Sequence, residues 1–362
     1  MPTIAESSPV PQTSMRGVYL PGGRTVDIRD VPVPTPGPGQ VVLSIMASSI
    51  CGSDVRAIYR DHLGTGAEAY QDVVAGHEPS GVVVEVGPEC RRLRPGDRVT
   101  VYHISGCGQC AECQRGYLIG CTSPLRASYG WQRDGGHAPY MLADEPTCLP
   151  LPDELSFVDG ALAACGFGTV FEALSRIGVS GRDRLLVTGL GPVGLAAGML
   201  GRALGASQVI GAEVSAGRLS WARKLDLFDE VIDVGDGGLE QVLDATGGEG
   251  TEASIDCSGS GPGRLLALGA LKTWGRASFV GEGGDVTIDV SEMLLHKQVT
   301  LYGSWVTSLR HMEELTDFLV RTGLRPERLV TDRFGLEDAA AAYAAADGQQ
   351  TGKVCILPHG DE

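Results

Sequence analysis

Four cysteines within fifteen residues offer the clearest chemistry in this 362-residue sequence. Cys107, Cys110, Cys113 and Cys121 are spaced C-x2-C-x2-C-x7-C, with glycines among them. Steps of two intervening residues allow neighbouring thiolates to converge on one tetrahedral ion at about 2.3 Å. Free thiols at this density would be prone to oxidation, and the lack of a further cysteine-rich segment disfavours an iron–sulfur centre. The spacing predicts a structural zinc, whose four thiolates leave no open position for a substrate.

Three further residues are good zinc ligands but lie far apart in the chain. Cys51 and His77 each lie near the end of a β-like run, and Cys165 lies in ALAACGFGTVFEAL. Three protein ligands with one open coordination position are typical of a catalytic zinc. A plainer interpretation stays open, because isolated cysteines are commonly buried as small hydrophobic residues and a single histidine is commonly an interior hydrogen-bonding group. Spacing alone does not decide whether the three meet.

A glycine-rich turn in the second half of the chain has the G-x-G-x-x-G spacing of dinucleotide-binding folds. The candidate cofactor-binding residues of the motif are Gly189, Gly191, Pro192, Val193 and Gly194. The turn follows an apolar run and opens a helical one, so that backbone can approach a pyrophosphate and the helix N-terminus can offer free N–H groups to it. The alternative is a glycine-rich turn that binds no ligand.

The preference among nicotinamide cofactors depends on an acidic residue after this turn. Glu213 closes the next strand-like run, 19 residues beyond Gly194. Its carboxylate can accept hydrogen bonds from both ribose hydroxyls and would repel a 2′-phosphate. This predicts NAD rather than NADP, although Arg218, a few residues on, would weaken the preference.

The segments that carry these residues fall into two zones. From Met15 to about Val101, β-rich runs such as VVLSIMASSI alternate with turns, which indicates mostly β structure. From Asp183 to Trp305, six short apolar strands alternate with helical stretches, which predicts a doubly wound parallel sheet. Two helical stretches and a last strand, KVCILP, follow. We therefore predict an α/β protein in which a mostly-β domain accompanies a six-stranded parallel one.

Composition and charge limit the possible partners. The chain is long enough for two cores, because single cores stop growing at about 250–300 residues. A net charge of −16 would repel phosphate backbones and anionic lipids, so we expect neither nucleic acid nor membrane as a partner. No signal-peptide pattern and no run of 18 apolar residues is visible. We expect a cytoplasmic protein whose cysteines stay reduced, which argues against disulfides in the cysteine cluster.

Taken together, the motifs resemble the zinc-dependent medium-chain alcohol dehydrogenase family, which includes polyol and threonine dehydrogenases. The matching segments are CGSD at 51–54, GHE at 76–78, G-x-V-x-x-V-G at 81–87, PGDRV at 95–99, the four-cysteine loop, GLGPVG at 189–194 and GKV at 352–354. The resemblance implies a GroES-like catalytic domain built from both chain ends and a Rossmann NAD-binding domain inserted between them. We expect a flexible tail at 1–14, the catalytic domain at 15–166 with its zinc loop at 106–121, the NAD-binding domain at 167–305 and the end of the catalytic domain at 306–362. Family members are homodimers or homotetramers.

The resemblance also implies a ligand set and an activity. Cys51, His77 and Cys165 would hold the catalytic zinc, with Glu78 as a nearby carboxylate that ligates in turn with water. With two zinc ions per chain and NAD, the protein would transfer a hydride between an alcohol and NAD. The alcohol would be a secondary alcohol, polyol or cyclitol, and the product a ketone or aldehyde. A lyase or epimerase that uses bound NAD transiently, and a non-catalytic binding protein, are the alternatives.

Three residues around the ligands take their expected roles from the family. Ser53 would carry the hydroxyl proton outward, Asp54 would orient His77, and Thr169 would contact the nicotinamide, unless Thr169 only starts a helix. Many relatives have a histidine five residues after the first ligand, where this chain has Arg56. A guanidinium cannot relay a proton, so either Ser53 passes it to cofactor ribose and water, or Arg56 serves an anionic or polyhydroxylated substrate. A surface arginine is the plainer alternative.

Overall fold

The computed structural model describes residues 13–235, 237–348 and 351–360, which form two compact units. The first unit comprises the described residues up to Cys165, Ser308–Gly348 and the described residues from Lys353 onward. The second comprises the described residues between Gly166 and Thr307, with the short link at 351–352. The expected domain limits, at 166/167 and 305/306, lie within two residues of these unit limits. The expected flexible tail at 1–14 lies, apart from its last two residues, outside the described residues.

Strands and short helices build both units. The strands are, in chain order, β1 Ser14–Gly22, β2 Thr25–Pro32, β3 Gln40–Ile50, β4 Glu78–Val86, β5 Arg98–Val101, β6 Ile104–Ser105, β7 Ala127–Ser128, β8 Tyr140–Asp144, β9 Cys148–Pro150, β10 Arg184–Thr188, β11 Gln208–Glu213, β12 Glu230–Asp233, β13 Thr251–Asp256, β14 Leu271–Phe279, β15 Thr300–Gly303, β16 Val330–Gly335 and β17 Lys353–Leu357. The α-helices are α1 Gly52–Asp54, α2 Ala111–Gln114, α3 Phe157–Leu162, α4 Gly168–Arg176, α5 Pro192–Ala203, α6 Ala216–Leu225, α7 Gly238–Ala245, α8 Gly261–Gly269, α9 Leu309–Thr322 and α10 Ala339–Asp347. Short π-helical segments lie at Val55–Arg60, Ala163–Phe167 and Ser291–Leu295.

The first unit is built around a seven-stranded sheet in the order β16-β17-β3-β4-β5-β9, with β8 pairing with β3. Strand β3 lies at its centre, because β4 runs along it while β8 pairs with its beginning and β17 with its end. Its alternate residues Val41, Leu43 and Ile45 are fully buried in one core cluster, as the two-residue period of a strand requires. The last strand of the chain thus completes a sheet that the first half of the chain begins.

The register of this sheet gathers three distant segments at one end. Ser49 near the end of β3 lies opposite Glu78 at the start of β4. Ile50 lies opposite Val354 of β17. Because β3 ends where β4 and β17 begin, the residues that follow β3 and precede β4 must lie close together.

A helical stretch with an irregular turn supplies a further segment to the first unit. Helix α3 begins with a capping box in which Ser156 and Asp159 each bind the backbone N–H of the other, at 3.1 and 3.0 Å. The helix then widens into the π-helical segment Ala163–Phe167, a distortion that frequently marks functional sites. Among the described residues, Phe157–Arg176 is the one stretch long and apolar enough to cross a membrane. Its apolar window is 89% buried inside the protein, as in the core helix of a soluble protein.

The second unit has a six-stranded parallel sheet in the order β12-β11-β10-β13-β14-β15. Strand order reverses between β10 and β13, as in doubly wound dinucleotide-binding sheets. The predicted doubly wound sheet is therefore confirmed. The sequence pattern extends a helix through RLLALGALKTWG, but α8 ends at Gly269, because Leu271 is buried and pairs with Thr251 in the sheet. Pairing with β13 there overrides the local helical pattern.

Candidate metal and cofactor sites

The four-cysteine loop forms a compact lobe in the first unit. The sulfur atoms of Cys107, Cys110, Cys113 and Cys121 all lie within 4.8 Å of one another, close enough to share one tetrahedral ion. The backbone N–H of Cys113 lowers the pKa of the Cys110 thiol to about 6, which favours the thiolate form that binds metal. This donor set fits a zinc ion with closed coordination.

Glycine and a helix end hold this lobe in place. A Cβ atom at Gly106 would lie 2.7 Å from the sulfur of Cys113, so that a larger residue would displace a ligand. The carbonyl of Gly116 accepts a hydrogen bond of 2.9 Å from the N–H of Leu309, the first residue of α9. The lobe is therefore attached to a helix from the C-terminal part of the same unit.

A second cluster lies where β3 ends and β4 begins. It comprises Cys51, His77, Glu78 and Cys165, whose ligand atoms also lie within 4.8 Å of one another. Cys51 follows β3, His77 precedes β4, and Cys165 lies in the π-helical segment. Two thiols, one imidazole and one carboxylate in a buried position suit zinc. The structure thus brings together all four residues that the family resemblance names as the catalytic ligand set.

Asp54 orients the first two ligands of this second cluster. Its fully buried carboxylate lies 2.7 Å from Nδ1 of His77 and accepts the backbone N–H of Cys51 at 3.0 Å. Because a carboxylate can only accept, Nδ1 of His77 carries the proton and Nε2 is left to bind a metal. Burial lowers the pKa of His77, but the Asp54 carboxylate and Cys51 outweigh burial and raise it well above its ordinary value.

Glu78 is held by a buried ion pair that the sequence motifs do not indicate. Its Oε2 accepts hydrogen bonds from the hydroxyl of Ser49 and the ammonium group of Lys353. Lys353 also donates to the carbonyl of Ile50 at 3.0 Å, and both charged side chains are at most 5% exposed. Burial raises the pKa of Glu78 to about 7, against the opposing effect of Lys353. The available signal was a lysine in the apolar strand KVCIL, which is costly to bury without a partner.

His103 is a second residue that sequence reasoning missed. Its ring centroid lies 5.1 Å from that of His77, and its Nδ1 lies 3.0 Å from the carbonyl of Ala164, next to Cys165. Burial lowers the pKa of His103 to about 4, so the ring is neutral. Because Nδ1 must donate to the carbonyl, Nε2 is an acceptor. In sequence, His103 has no spacing that connects it with the ligands.

For Ser53, Arg56 and Thr169, the structure gives the elements that carry them. Ser53 lies in the short helix α1 and is partly exposed, and Arg56 lies in the following π-helical segment and is also partly exposed. Thr169 is the second residue of α4, in the second unit. Their roles in proton transfer, substrate binding and nicotinamide contact stay predictions.

The predicted glycine-rich turn joins β10 to α5 in the second unit. Gly189 has a φ of +83°, which favours glycine, and a Cβ at Gly194 would overlap the carbonyl oxygen of Gly189. Gly191 caps α5, with Pro192 and Val193 in its first turn. The first N–H groups of this twelve-residue helix have no intrahelical acceptor, which suits an anionic ligand. The turn therefore fits a pyrophosphate.

Glu213 ends β11 beside this turn. One carboxylate oxygen accepts the N–H of Leu190 at 2.8 Å, and the other accepts the N–H groups of Val214 and Ser215 at 2.8 and 3.0 Å. A guanidinium nitrogen of Arg218 lies 3.7 Å from the first oxygen. Glu213 therefore supports the turn itself, and Arg218 places a positive charge beside it.

A polar turn after β13 adjoins the glycine-rich turn and was not predicted. A Cβ at Gly189 would lie 2.7 Å from Ser258. The buried carboxylate of Asp256 accepts hydrogen bonds from the hydroxyls of Ser258 at 2.6 Å and Thr188 at 2.9 Å. Ligands of doubly wound sheets bind where the strand order reverses, and β10 and β13 meet at that point. The signal in the sequence was IDCSG at the end of an apolar run.

Two family models match the chain. Residues 37–153 match the alcohol dehydrogenase GroES-like domain, and residues 192–321 match the zinc-binding dehydrogenase model. The chain is 47% identical to the zinc-type alcohol dehydrogenase-like protein YphC of Escherichia coli K12, over 95% of this chain and 98% of that protein. It is 30% identical to an L-threonine 3-dehydrogenase of Deinococcus deserti, over 90% and 94% of the two chains.

Solved structures show the same fold over nearly the whole chain. A zinc-binding dehydrogenase from Sinorhizobium meliloti 1021 bound to NADP has a TM-score of 0.85 at 26% identity, covering 96% of this chain and 100% of that one. The alcohol dehydrogenase TADH from Thermus sp. ATN1 has a TM-score of 0.86 at 25% identity, covering 95% and 99%.

Proposed function

Because the chain belongs to the zinc-type alcohol dehydrogenase family, we propose that it oxidises a secondary alcohol, polyol or cyclitol with NAD, or reduces the matching carbonyl. Family membership makes the chain an NAD(P)-dependent oxidoreductase that acts on the CH–OH group of a small molecule. The predicted GroES-like and Rossmann fold class is confirmed, and so are zinc and a nicotinamide dinucleotide as the cofactors. The observation that carries the proposal is that the ligand atoms of Cys51, His77 and Cys165 lie within 4.8 Å of one another, with Cys51 and His77 buried.

The protein groups at this cluster prepare the reaction. When bound, zinc would polarise the substrate hydroxyl and lower its pKa, and NAD would accept the hydride. The thiolates of Cys51 and Cys165 balance the charge of the ion, which suits a site that alternates between an anionic and a neutral oxygen. Asp54 holds His77 in one tautomer and one orientation. Ser53 then carries the hydroxyl proton outward.

Glu78 has a separate role beside the ligands. Lys353 and Ser49 hold its carboxylate within ligand distance of the cluster, while the ion pair balances its charge. We infer that Glu78 stays paired with Lys353 while substrate is bound. When substrate is absent, its carboxylate and water alternate at the open coordination position of the metal. Lys353→Met would then leave the carboxylate free to occupy the open position, lowering kcat and raising KM together.

Arg56 bears on the class of substrate. It stands where relatives have a relay histidine, and a guanidinium offers hydrogen-bond donors but no acceptor. We infer that it favours an anionic or polyhydroxylated substrate. Arg56→Ala should change the relative kcat/KM of substrates in a panel, whereas unchanged kinetics on the preferred substrate would exclude this role.

The proposed preference for NAD rests on Glu213. Three backbone N–H groups fix its carboxylate, and its remaining acceptor capacity would accept a hydrogen bond from a ribose hydroxyl. Arg218 lies beside it and moderates the repulsion of a 2′-phosphate. We expect Glu213→Gln to narrow the ratio of kcat/KM for NAD over NADP, and Arg218→Ala to widen it. A wider ratio in Glu213→Gln, or a narrower one in Arg218→Ala, would exclude the role proposed for that residue in cofactor choice.

A substrate panel tests the activity. It comprises primary alcohols, diols, sugar alcohols, cyclitols and L-threonine, each with NAD and with NADP. Net formation of NADH supports a dehydrogenase, whereas product formation without NADH supports a lyase or epimerase. Cys51→Ala should abolish turnover while the protein stays folded. Cys148→Ala, which removes a buried thiol of strand β9 that is not in the ligand cluster, serves as the control.

A second copy of this chain is the proposed protein partner. Strand β15 forms an edge of the six-stranded sheet, and Leu301 in it is 37% exposed. Trp274 and Trp305, in or beside the last two strands of that sheet, are 68% and 61% exposed, which is unusual for large apolar side chains. We infer a homodimer or homotetramer that joins through this edge. Leu301→Arg should lower the mass measured by sedimentation equilibrium, and a monomeric wild type would exclude the proposal.

We further infer a cytoplasmic location and neither nucleic acid nor membrane as a partner. None of the ten cysteines forms a disulfide, which suits a reducing compartment, and the net charge is −16. Fractionation of the source cells would test the location, and gel-shift and vesicle-sedimentation assays at low salt would test the two excluded partners.

A further inference from the structure

Three fully buried polar side chains lie close to the catalytic cluster without protein hydrogen-bond partners. They are Ser48, His137 and Tyr343, which we call the rear polar cluster. Among the described residues, none bonds to either ring nitrogen of His137, to the hydroxyl of Tyr343 or to the hydroxyl of Ser48. All three residues belong to the first unit.

Contacts within the unit place these groups together. The rings of His137 and Tyr343 meet edge-on, with centroids 5.8 Å apart. Nδ1 of His137 lies so close to Gly76, the neighbour of the metal-binding histidine, that a Cβ at Gly76 would overlap it. A Cβ at Gly136 would lie 3.0 Å from the hydroxyl of Ser48. His137 and Tyr343 are therefore in ring contact beside Gly76, and Ser48 lies beside Gly136, the residue that precedes His137.

The chemistry of these groups matches water. Burial lowers the pKa of His137 to about 4, so its imidazole is neutral and offers one donor and one acceptor. The hydroxyls of Tyr343 and Ser48 can also donate and accept. Unpaired buried polar atoms are strongly unfavourable, and internal water commonly satisfies groups of two to four such atoms. A cation would need more negative charge than these neutral groups supply.

Asp54 provides the link to the metal ligands. Its buried carboxylate accepts one hydrogen bond from Cys51 and one from His77, which leaves about two of its lone-pair directions. His77, which binds this carboxylate, directly follows Gly76, against which the ring of His137 packs, so Asp54 and His137 both lie beside the segment formed by Gly76 and His77.

We propose that Ser48, His137 and Tyr343 enclose internal water that also hydrogen-bonds to Asp54. His137 and Tyr343 are then positioning residues, which act on the metal site through water and Asp54. The consequence for catalysis rests on the proposed role of the Cys51 and His77 ligands, whereas the water itself does not.

A crystal structure of the zinc-loaded enzyme, at a resolution that shows ordered water, tests the first part. We expect density within hydrogen-bond distance of a His137 nitrogen and of the Tyr343 hydroxyl. A region between these groups without water density would overturn the proposal.

Tyr343→Phe tests the second part, because it removes only the hydroxyl. If that hydroxyl binds water, the melting temperature falls, and the zinc dissociation constant of the catalytic site rises by up to about tenfold. Tenfold is the lower end of the loss in metal affinity that follows removal of a group that supports a metal ligand. If the hydroxyl has no partner, its removal raises the melting temperature, which would overturn the proposal. Tyr59→Phe is the matched control, since its ring lies 5.2 Å from that of Tyr343 in the same core.

The zinc measurement has an internal reference, since the four-cysteine lobe should keep its ion in every variant. His137→Leu should weaken zinc binding at the catalytic site, and His137→Gln, which keeps a donor and an acceptor, should restore it. Equal zinc affinity in the wild type, His137→Leu and Tyr343→Phe would exclude the positioning role. Zinc affinity is measured without turnover. The test of the positioning role therefore stands even if the substrate panel finds no alcohol that the enzyme oxidises.

Discussion

Replacement of Asp54 by asparagine would change the metal site without changing its shape. The two carboxylate oxygens accept from Nδ1 of His77 at 2.7 Å and from the N–H of Cys51 at 3.0 Å. Asparagine keeps one acceptor oxygen but turns its NH2 group toward the second donor. One of the two hydrogen bonds therefore becomes a donor–donor contact, and the other loses its charge.

The size of the effect follows from these two bonds. A hydrogen bond to a charged group contributes about 1.5–3 kcal/mol, and a neutral one about 0.5–1.5 kcal/mol. Loss of partners that orient a metal-binding histidine typically weakens metal binding about 10- to 100-fold, or about 1.4–2.7 kcal/mol. We expect Asp54→Asn to weaken zinc binding at the catalytic site by this amount and to lower kcat/KM in proportion.

Chelator competition on the purified enzyme measures the loss. The wild type should release two zinc ions per chain in two steps, and Asp54→Asn should release the first at a lower chelator concentration while the four-cysteine lobe keeps the second. Asp159→Asn is the matched control, because this buried carboxylate also accepts two hydrogen bonds, both from backbone N–H groups, at 3.0 and 2.9 Å, and neither donor belongs to a ligand. It should lower the melting temperature and leave both zinc affinities unchanged.

Two results would refute this reasoning. The first is wild-type zinc affinity in Asp54→Asn, which would mean that Asp54 does not support the ligands. The second is an equal loss in Asp54→Asn and Asp159→Asn, which would mean that general destabilisation, rather than orientation of His77, weakens the site.

Three further predictions concern other parts of the chain. Cys110→Ser should remove one zinc per chain and lower the melting temperature by several degrees, whereas Cys51→Ser should lose turnover and keep the fold. Equal melting temperatures of the wild type and Cys110→Ser would contradict the structural role of the lobe. Gly194→Ala should destabilise the NAD-binding unit by about 1–3 kcal/mol in denaturant unfolding, because the added Cβ overlaps a backbone carbonyl. In Gly191→Ala the added Cβ would lie 3.5 Å from its nearest atom, so this variant should keep its stability and lose NAD affinity in calorimetry. Burial raises the pKa of Glu252, but hydrogen bonds from an arginine and a lysine outweigh burial and hold the pKa at about 2. The ion pairs of Glu252 therefore stabilise the fold fully at pH values above the unfolded pKa of 4.5, and this stabilisation is lost as the pH falls through 2. Glu252→Gln should therefore lower the free energy of unfolding by about 1–2 kcal/mol near neutral pH, after allowance for solvent screening, and by only a small part of that amount at pH 2. A pH-independent difference in melting temperature would exclude this linkage.

Local motifs were readable from the sequence because their residues lie on one loop or one turn. The four cysteines occupy a single segment, so their spacing alone limits how their sulfur atoms can meet. The turn from Gly189 to Gly194 is specified in the same way, since the positive φ of Gly189 favours glycine and a Cβ at Gly194 would overlap the carbonyl oxygen of Gly189. Strand and helix alternation after Asp183 also suffices for the doubly wound sheet, because each βαβ unit is local and right-handed.

The catalytic ligands were identified by family resemblance rather than by spacing. Cys51 and Cys165 lie 114 positions apart, and nothing in their spacing states that they share an ion. The register of β3 against β4 and the π-helical turn bring them within ligand distance. Backbone pairing at the centre of the sheet decides this, and pairing between distant strands leaves little trace in local sequence.

The sequence by itself therefore determined the class of fold, the closed zinc lobe and the dinucleotide turn, each of which depends on residues close in the chain. Tertiary structure alone decided the surroundings of the catalytic ligands. Lys353 reaches Glu78 across 275 positions because β17 pairs with β3, and His137 and Tyr343 meet because loop and helix pack on the same core. Such contacts follow from burial of charge and polar groups in a shared interior, whose energy depends on every neighbour and not on the spacing of a motif.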